Sequence, residues 1–223
     1  MVPEKLYKYM PSKYVDHTVS RGKLLFRNFT YFRQTEGKTR GDYLEAHHRD
    51  NPDHDITITN MSSGQAASGD FSFLNSTNSD VIFMFCTSKN HDSNLYEEFE
   101  ADACIEIKDV PELLRRMRMS VMKLIQIHKH GLLHRDVTYY EPSKPSQENI
   151  KDATVLPFLK DSIYAHQGEY RMVFGRKGAF KLKQQIVANS GYDFRAAAQS
   201  GMAKEKLLTI GSIEDLVEVH FGI

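Results

Sequence analysis

The sequence of 223 residues lacks the features that mark secreted and membrane-spanning proteins. Its only cysteines are Cys86 and Cys104, too few for the disulfide framework of a small secreted protein. Each lies in an apolar run, which predicts two reduced thiols in the protein core. No apolar run approaches the roughly 20 residues that cross a bilayer, and the N-terminus lacks an apolar core of signal-peptide length. We therefore expect a soluble, cytoplasmic protein.

The sequence also has no excess of charge of either sign. Lys and Arg together number 29, and so do Asp and Glu. No overall field therefore draws the chain to nucleic acid or to an anionic membrane, and any recognition of a polyanion has to be local. Hydrophobic residues make up 40% of the chain, enough for a full core, and neither a repeat nor a low-complexity linker divides it. These features predict a single α+β domain spanning residues 1–223.

Hydrophobic spacing and turn residues predict several strands and one clear helix. Strands are expected at residues 6–9, 23–27, 81–86, 164–174 and 206–210. The run at 81–86 is continuously apolar, which is typical of a central strand buried on both faces. The helix follows Asp109, has a proline in its first turn and is expected to end at Gly131. Residues 34–80 are polar and rich in turn formers, which predicts a long loop with little structure, broken only by an alternating segment at 55–59.

Alternation of polar and apolar residues is clear between residues 164 and 174. Gln167, Glu169 and Arg171 would occupy one polar face of that strand, and its other face would be apolar and packed. Because residues two apart on a strand point the same way, Gln167 would lie beside Glu169. An ordinary surface ion pair of Glu169 and Arg171 is an equally valid interpretation.

Histidine clusters and a basic helix face carry weaker signals. Candidate metal ligands are clustered at His47, His48, Asp53, His54 and Asp55, and again at His128, His130 and His134. Neither cluster has paired Cys/His spacing or an H-E-x-x-H face, so no metal site is predicted. The basic residues of the predicted helix are Arg115, Arg116, Arg118 and Lys123. Such a face is more often a solvated surface than a nucleic-acid contact.

Three short motifs follow one another in an informative order. Aromatic residues near the N-terminus are flanked by basic residues, Phe85-Cys86-Thr87-Ser88 closes the apolar strand, and Gln167-Gly168-Glu169 comes later. In this order and in these residue types the chain resembles the R-S-E class of ADP-ribosyltransferases. The signature of that class is an aromatic-Arg pair on the first core strand, a Ser-Thr-Ser-like strand and a Gln/Glu-x-Glu motif on a later strand.

A second resemblance covers most of residues 5–176. Its motifs are Leu6-Tyr7-Lys8-Tyr9, the run from Tyr31-Phe32-Arg33 through Glu36 to Arg40-Gly41-Asp42 and Glu45, Phe85 to Ser88, and Lys160 through Glu169-Tyr170-Arg171. They are similar to motifs of a widespread family of uncharacterised bacterial proteins, some associated with phage defence, which looks like a divergent relative of the ADP-ribosyltransferase fold. The resemblance implies split mixed or antiparallel β-sheets packed with helices in one domain. It also implies an intracellular toxin or phage-defence effector, with an antitoxin protein as a possible partner.

The ADP-ribosyltransferase resemblance implies a role for each motif in transferring ADP-ribose from NAD to RNA, DNA or protein. Glu169 would stabilise an oxocarbenium-like state and hold the ribose 2′-hydroxyl. Gln167 would orient the incoming nucleophile. Thr87 or Ser88 would hydrogen-bond Glu169 and fix its rotamer.

Several residues are candidates to bind NAD. An arginine suits the pyrophosphate because its fork pairs with two phosphate oxygens. The candidate arginines are, in order of preference, Arg33, Arg27 and Arg40. Lys8 stands between Tyr7 and Tyr9, where toxins of the sister diphtheria-like class have His. The class therefore stays open, and both tyrosines are candidates to stack on nicotinamide.

Two alternative functions involve different chemistry. A non-catalytic module would bind nucleic acid or protein through the basic helix and the Tyr/Phe/Arg-rich N-terminal region. A metal-dependent nuclease would use Asp42, Glu45, His47 and His54, and would lose its activity with EDTA. A transferase would instead depend on Glu169.

Overall fold

The computed structural model of the chain describes residues 1–35, 44–194, 196 and 200–222, and within them strands outnumber helices. The strands are β1 (Leu6–Met10), β2 (Lys23–Asn28), β3 (His47–Asp50), β4 (Ile56–Thr59), β5 (Ala66–Gly69), β6 (Phe71–Ser76), β7 (Ile82–Ser88), β8 (Ala103–Ile107), β9 (Ile127–Asp136), β10 (Thr138–Tyr140), β11 (Leu159–Asp161), β12 (Glu169–Arg176), β13 (Lys183–Ala188), β14 (Glu205–Thr209) and β15 (Val217–Phe221). The α-helices are α1 (Val15–Val19), α2 (Phe29–Thr35), α3 (Asn94–Glu98) and α4 (Val110–Val121), and short 3₁₀ helices span Ser12–Tyr14, Ser79–Val81, Leu156–Phe158, Ser162–Gln167 and Glu214–Leu216.

The largest sheet is antiparallel and has β7 near its centre. On one edge of β7 lie β2, followed by β14, and β1, followed by β8 and β15. On the other edge of β7 lies β12, followed by β9. β7 shares one of its edges between two strands, because β2 pairs with Phe83 and Met84 whereas β1 pairs with Ser88. The sheet therefore divides into two arms along this edge of β7.

Both faces of β7 and β12 are buried, which confirms the prediction of a central apolar strand. On one face, Phe85 and Met172 belong to a core that the apolar side of α4 closes. On the other face, Met84 and Val173 belong to a second core that includes Phe29 of α2. The molecule is thus α+β, with mainly antiparallel sheets and few helices in a single domain.

Helix α4 begins where the sequence predicts but ends earlier. Asp109 is its N-cap, and the carboxylate accepts a hydrogen bond of 2.9 Å from the backbone N–H of Glu112. The helix ends at Val121 and not at Gly131, which lies within β9 with a φ of 60°. The expected end was wrong because Leu124 packs on the same core as the helix without being helical.

The expectation of little structure over residues 34–80 was also wrong in the part that the structure describes. β4 matches the alternating segment expected at 55–59, but this part also contains β3, β5 and β6. β6 lies between β3 and β13 in a small antiparallel sheet, and β4 pairs with β5. β13 lies far downstream in the sequence, so no local pattern could reveal that pairing.

No helix in the described ranges is long and apolar enough to cross a membrane.

Candidate active site

A cleft lies where the sheet divides between β1 and β2. Its volume is about 650 Å³, within the range of roughly 300 to 1,000 Å³ that is typical of small-molecule sites. Residues of β1, β2 and β7 form much of its wall, and Glu45, Lys160, Gln167 and Glu169 also line it. The fold therefore gathers residues from distant parts of the sequence around one cleft.

Four charged side chains form a closed ring at the wall of this cleft. Lys160 Nζ lies 2.5 Å from Glu169 Oε1 and 3.4 Å from Glu45 Oε1. Arg171 Nε lies 2.8 Å from Glu169 Oε2, and Arg171 Nη2 lies 2.8 Å from Glu45 Oε1. All four side chains are at most 7% exposed. The interpretation of Glu169 and Arg171 as a surface ion pair is therefore wrong.

The charged ring fixes the protonation states of Glu169 and Lys160. Burial alone would raise the pKa of Glu169, but Arg171 and Lys160 outweigh it and hold that pKa well below its usual range. Burial alone would likewise lower the pKa of Lys160, whereas Glu169 and Glu45 raise it above its usual value. Glu169 is therefore a carboxylate and Lys160 an ammonium group at neutral pH.

Gln167 reaches Glu169 by a different route from the one expected. Gln167 ends a 3₁₀ helix, Gly168 is left-handed with a φ of 52°, and Glu169 then begins β12, so the expectation of one continuous strand was wrong. The two side chains nevertheless meet at Lys160, whose Nζ donates to Gln167 Oε1 at 2.8 Å and to Glu169 Oε1 at 2.5 Å. Gln167 Nε2 donates to Glu98 Oε1 at 2.5 Å, so both ends of the amide are held.

Thr87 and Ser88 line the cleft but do not make the expected hydrogen bond to Glu169. Thr87 Oγ1 donates to the backbone oxygen of Tyr170 at 3.0 Å, and Ser88 Oγ donates to the backbone oxygen of Gln167 at 2.7 Å. Because a hydroxyl has one proton to donate, neither has a second one for the carboxylate. These two residues therefore fix the backbone on each side of Glu169 and not its rotamer.

Strand β1 brings Tyr7, Lys8 and Tyr9 to the cleft. Lys8 Nζ donates to the backbone oxygen of Cys86 at 2.9 Å. The ring of Tyr7 stacks on His91, with centroids 5.0 Å apart and an interplanar angle of 6°. Tyr9 is only 7% exposed and belongs to a small buried cluster. Both tyrosine rings thus have partners within the protein, and Tyr9 is mainly a packing residue.

The two candidate arginines that the structure describes, Arg27 and Arg33, lie in different places. Arg27 lines the cleft, and its Nε lies 3.0 Å from Glu205 Oε1. Arg33 lines a separate cavity of about 400 Å³, and its Nη1 donates to the backbone oxygen of Glu45 at 3.3 Å. The structure therefore does not bring Arg33 to Glu169, because α2 directs its side chain into that other cavity. Arg40 lies outside the described residues, as does Asp42.

Two members of the ring, Lys160 and Glu45, were not predicted from the sequence to lie beside Glu169. Lys160 directly follows the apolar run Leu156–Leu159, which is the one local signal for a buried lysine. Glu45 has no such signal, because its partner Arg171 lies 126 residues away in the sequence. The sequence around Glu98 likewise gives no indication that this side chain accepts a hydrogen bond from Gln167.

The described residues of the proposed nuclease site do not converge. The side chain of Glu45 belongs to the charged ring, whereas His47 Nδ1 lies 3.0 Å from the backbone oxygen of Glu45. His54 is exposed, and its Nδ1 lies 2.9 Å from Asp53 Oδ1. The metal-ligand cluster found among the described residues is elsewhere, at Glu106, Glu218 and His220.

That cluster and part of the basic face of α4 form ion pairs within the protein. Lys5 lies 2.7 Å from Glu106, which is already one of the three candidate ligands. On α4, Glu112 pairs with Arg115 at 2.6 Å and with Arg116 at 2.8 Å. Two of the four basic residues of the predicted helix, Arg115 and Arg116, are therefore ion-paired at the protein surface.

The two cysteines are free thiols. Cys104 is fully buried, and burial raises its pKa to about 12. Cys86 lines the cleft, and burial raises its pKa well above the usual value. Both thiols are therefore protonated at neutral pH, and neither is a nucleophile in the resting site.

Comparison with known proteins identifies no relative of the chain. No family model, curated protein or solved structure matches it. The function has therefore to be inferred from the chemistry of the cleft and from the motif resemblances. The cleft offers a buried carboxylate, an oriented amide and positive charge at its walls.

Proposed function

We propose that the chain transfers ADP-ribose from NAD to a macromolecular acceptor, with Glu169 and Gln167 at the reacting centre. In this reaction the bond between C1′ of the nicotinamide ribose and the nicotinamide nitrogen breaks, and its electron pair leaves with nicotinamide. A nucleophile of the acceptor forms a bond to C1′ and releases its proton to water. The transition state resembles an oxocarbenium ion, so a neighbouring carboxylate stabilises it.

One observation carries the proposal: Glu169 and Gln167 meet at Lys160 in the wall of a cleft of suitable size. Each oxygen of Glu169 accepts one hydrogen bond, from Lys160 or from Arg171. A carboxylate can accept about four, so Glu169 has room for the ribose 2′-hydroxyl. The second N–H of the Gln167 amide would hold the incoming nucleophile.

Two cations on different strands of the cleft suit the pyrophosphate of NAD. Lys8 supplies an ammonium group from β1, close to the backbone of β7. Arg27 supplies a guanidinium group from β2, which lies 4.1 Å from the centroid of the Tyr31 ring. Because phosphate oxygens pair well with such groups, NAD would span the gap between the two arms of the sheet.

The motif resemblance to phage-defence proteins extends the proposal to the role of the enzyme in the cell. We propose an intracellular toxin or phage-defence effector, and an antitoxin protein that occupies the cleft would restrain it. Induced expression of the wild-type chain should then slow growth, and Glu169→Ala should relieve the effect. Equal toxicity of both chains would contradict this role.

Label transfer tests the reaction itself. Purified protein is incubated with cell extract and with NAD labelled in the adenylate phosphate, and the product is treated with protease or with nuclease. We expect macromolecular label from the wild type, and the sensitive digestion identifies the acceptor. Gln167→Ala should decrease the rate of transfer to the macromolecule more than the rate of NAD hydrolysis, because a water molecule needs less orientation than a macromolecular nucleophile.

The matched control is Glu218→Gln, which makes a carboxylate-to-amide change in the exposed Lys108–Glu218 pair of an edge strand. It should keep wild-type transfer, whereas Glu169→Gln should abolish it while a thermal scan shows that the variant is folded. Cleavage of nucleic acid that survives in Glu169→Gln but is lost with EDTA would favour a nuclease. Partner binding without any transfer would favour a non-catalytic module.

A further inference from the structure

Positive charge without an acidic partner lies at the end of the main sheet away from the cleft. Residues 113–135 and 170–192 contain no acidic residue. Pairing of β9 with β12 brings these two segments together, with Ile127 opposite Arg176. The backbone N–H of Lys177 also donates to the backbone oxygen of Gln126 at 2.9 Å. We define the basic rim as Lys129, Arg176, Lys177 and Lys181.

The cations of the basic rim differ from Arg115 and Arg116 of α4 in having no acidic partner. All four rim residues are exposed. Within residues 1–35, 44–194, 196 and 200–222, none of them makes an ion pair or a side-chain hydrogen bond. Asp152 is close enough to His130 to be influenced by its charge, but its carboxylate accepts hydrogen bonds from Thr154. The rim therefore presents local positive charge on a chain whose formal net charge is zero.

Aromatic rings lie beside these cations. The rings of His128 and His130 have centroids 4.8 Å apart, and His128 meets Phe180 edge-on at 5.0 Å. Phe180 is partly exposed, and His130 is exposed. Unpaired bases stack on rings of this kind, whereas the bases of a duplex are already stacked on one another.

We propose that the basic rim binds single-stranded nucleic acid, with phosphates at the four cations and a base on the Phe180 and His130 rings. Cations that track the backbone, together with rings that stack on bases, are the two components of such surfaces. Arg176 lies about 23 Å from Glu169, because about seven residue steps of roughly 3.3 Å along β12 separate them. The rim is therefore separate from the cleft, and its binding does not require NAD.

Fluorescence anisotropy with a labelled oligothymidylate of about 20 nucleotides tests the proposal. The logarithm of the association constant falls with the logarithm of the salt concentration by about 0.7 per neutralised phosphate of a single strand. Four rim contacts thus predict a slope of about −3. Lys129→Gln/Lys177→Gln/Lys181→Gln leaves one rim cation, so we expect a slope of about −1 and at least roughly tenfold weaker binding at low salt.

A variant with the same change in net charge is the control. Lys13→Gln/Lys108→Gln/Lys144→Gln removes three lysines outside the rim and should keep the wild-type slope. Phe180→Leu should weaken binding of the oligonucleotide about fivefold or more without affecting polyphosphate, because only the oligonucleotide has bases to stack. The proposal is overturned if the oligonucleotide does not bind at low salt, if both triple variants lose binding equally, or if polyphosphate of equal charge binds as tightly as the oligonucleotide.

Discussion

At the scale of single residues, the ring of Glu45, Lys160, Glu169 and Arg171 places four buried charges beside the cleft. Removing an ion from water costs several kcal/mol even after relaxation, and well-packed apolar residues often replace buried ion pairs without loss of stability. Stability alone is therefore a weak reason for four buried charges beside a cleft. The ring instead keeps Glu169 ionised and holds its carboxylate next to Gln167.

Replacing Lys160 should reveal how strongly the ring members depend on one another. Lys160→Met leaves Glu169 with Arg171 as its cation and removes the donor to Gln167 Oε1. We expect a loss of about 3 to 5 kcal/mol in the free energy of unfolding, measured by urea titration, because the two buried carboxylates of Glu45 and Glu169 then share one cation.

The control for this change is Lys144→Met, which breaks the exposed Lys144–Glu141 pair of 2.8 Å. An exposed pair contributes at most about 1 kcal/mol, so this variant should unfold at nearly the wild-type urea concentration. A Lys160→Met protein as stable as the Lys144→Met protein would contradict the inferred role of the ring.

The sequence predicts these site residues only in part. Gln167 and Glu169 were identified because they lie two residues apart in one motif, and both line the cleft in the structure. The preferred arginine, Arg33, was chosen from its aromatic neighbours, but α2 directs it to another cavity. The ring could not be foreseen, because Glu45 and Arg171 are far apart in the chain and meet only through the tertiary fold.

At the scale of elements, the junction between the 3₁₀ helix and β12 determines where Gln167 and Glu169 point. Gly168 connects them with a φ of 52°, a conformation that side chains with a Cβ rarely adopt. A Cβ atom at this position would lie 2.6 Å from Asn90 Nδ2. The glycine thus allows both the turn and the close approach of the Asn90 side chain.

Substitution of Gly168 tests this junction against a glycine with similar backbone geometry. Gly131 has a φ of 60°, and a Cβ atom there would meet nothing within 4 Å. Gly131→Ala should therefore cost about 1 to 2 kcal/mol for the left-handed conformation alone. Gly168→Ala should show a larger decrease in thermal stability, because Asn90 must also move. Equal decreases in thermal unfolding would show that the contact with Asn90 does not matter.

The elements that the sequence predicted well are those with strong local signals. β7 has a continuous apolar run, and α4 has the Asp109 cap before its apolar stripe. The end of α4 was misplaced because Leu124 packs on the core outside the helix, so apolar spacing continues beyond the last turn. β3 was missed because its residues are polar, and β6 was missed because it lies in an otherwise polar stretch and pairs with the distant β13.

At the scale of the whole molecule, a balanced composition conceals an uneven distribution of charge. Equal numbers of acidic and basic residues correctly exclude a strong overall field. Folding nevertheless buries two complete ion pairs at the cleft and, among the residues that the structure describes, leaves the basic rim without acidic partners. The cleft and the rim lie at opposite ends of β12, so the proposed NAD chemistry and the proposed nucleic-acid binding can be tested independently.

The most direct test of the central claim is release of nicotinamide from NAD, measured by chromatography with purified protein and cell extract as the source of acceptor. The wild type and Glu218→Gln should release nicotinamide at similar rates. A folded Glu169→Gln protein should be at least about 100-fold slower, because it lacks the charge that stabilises the oxocarbenium-like state. Absence of nicotinamide release by the wild type, or equal rates for the wild type and Glu169→Gln, would contradict the proposed role of Glu169.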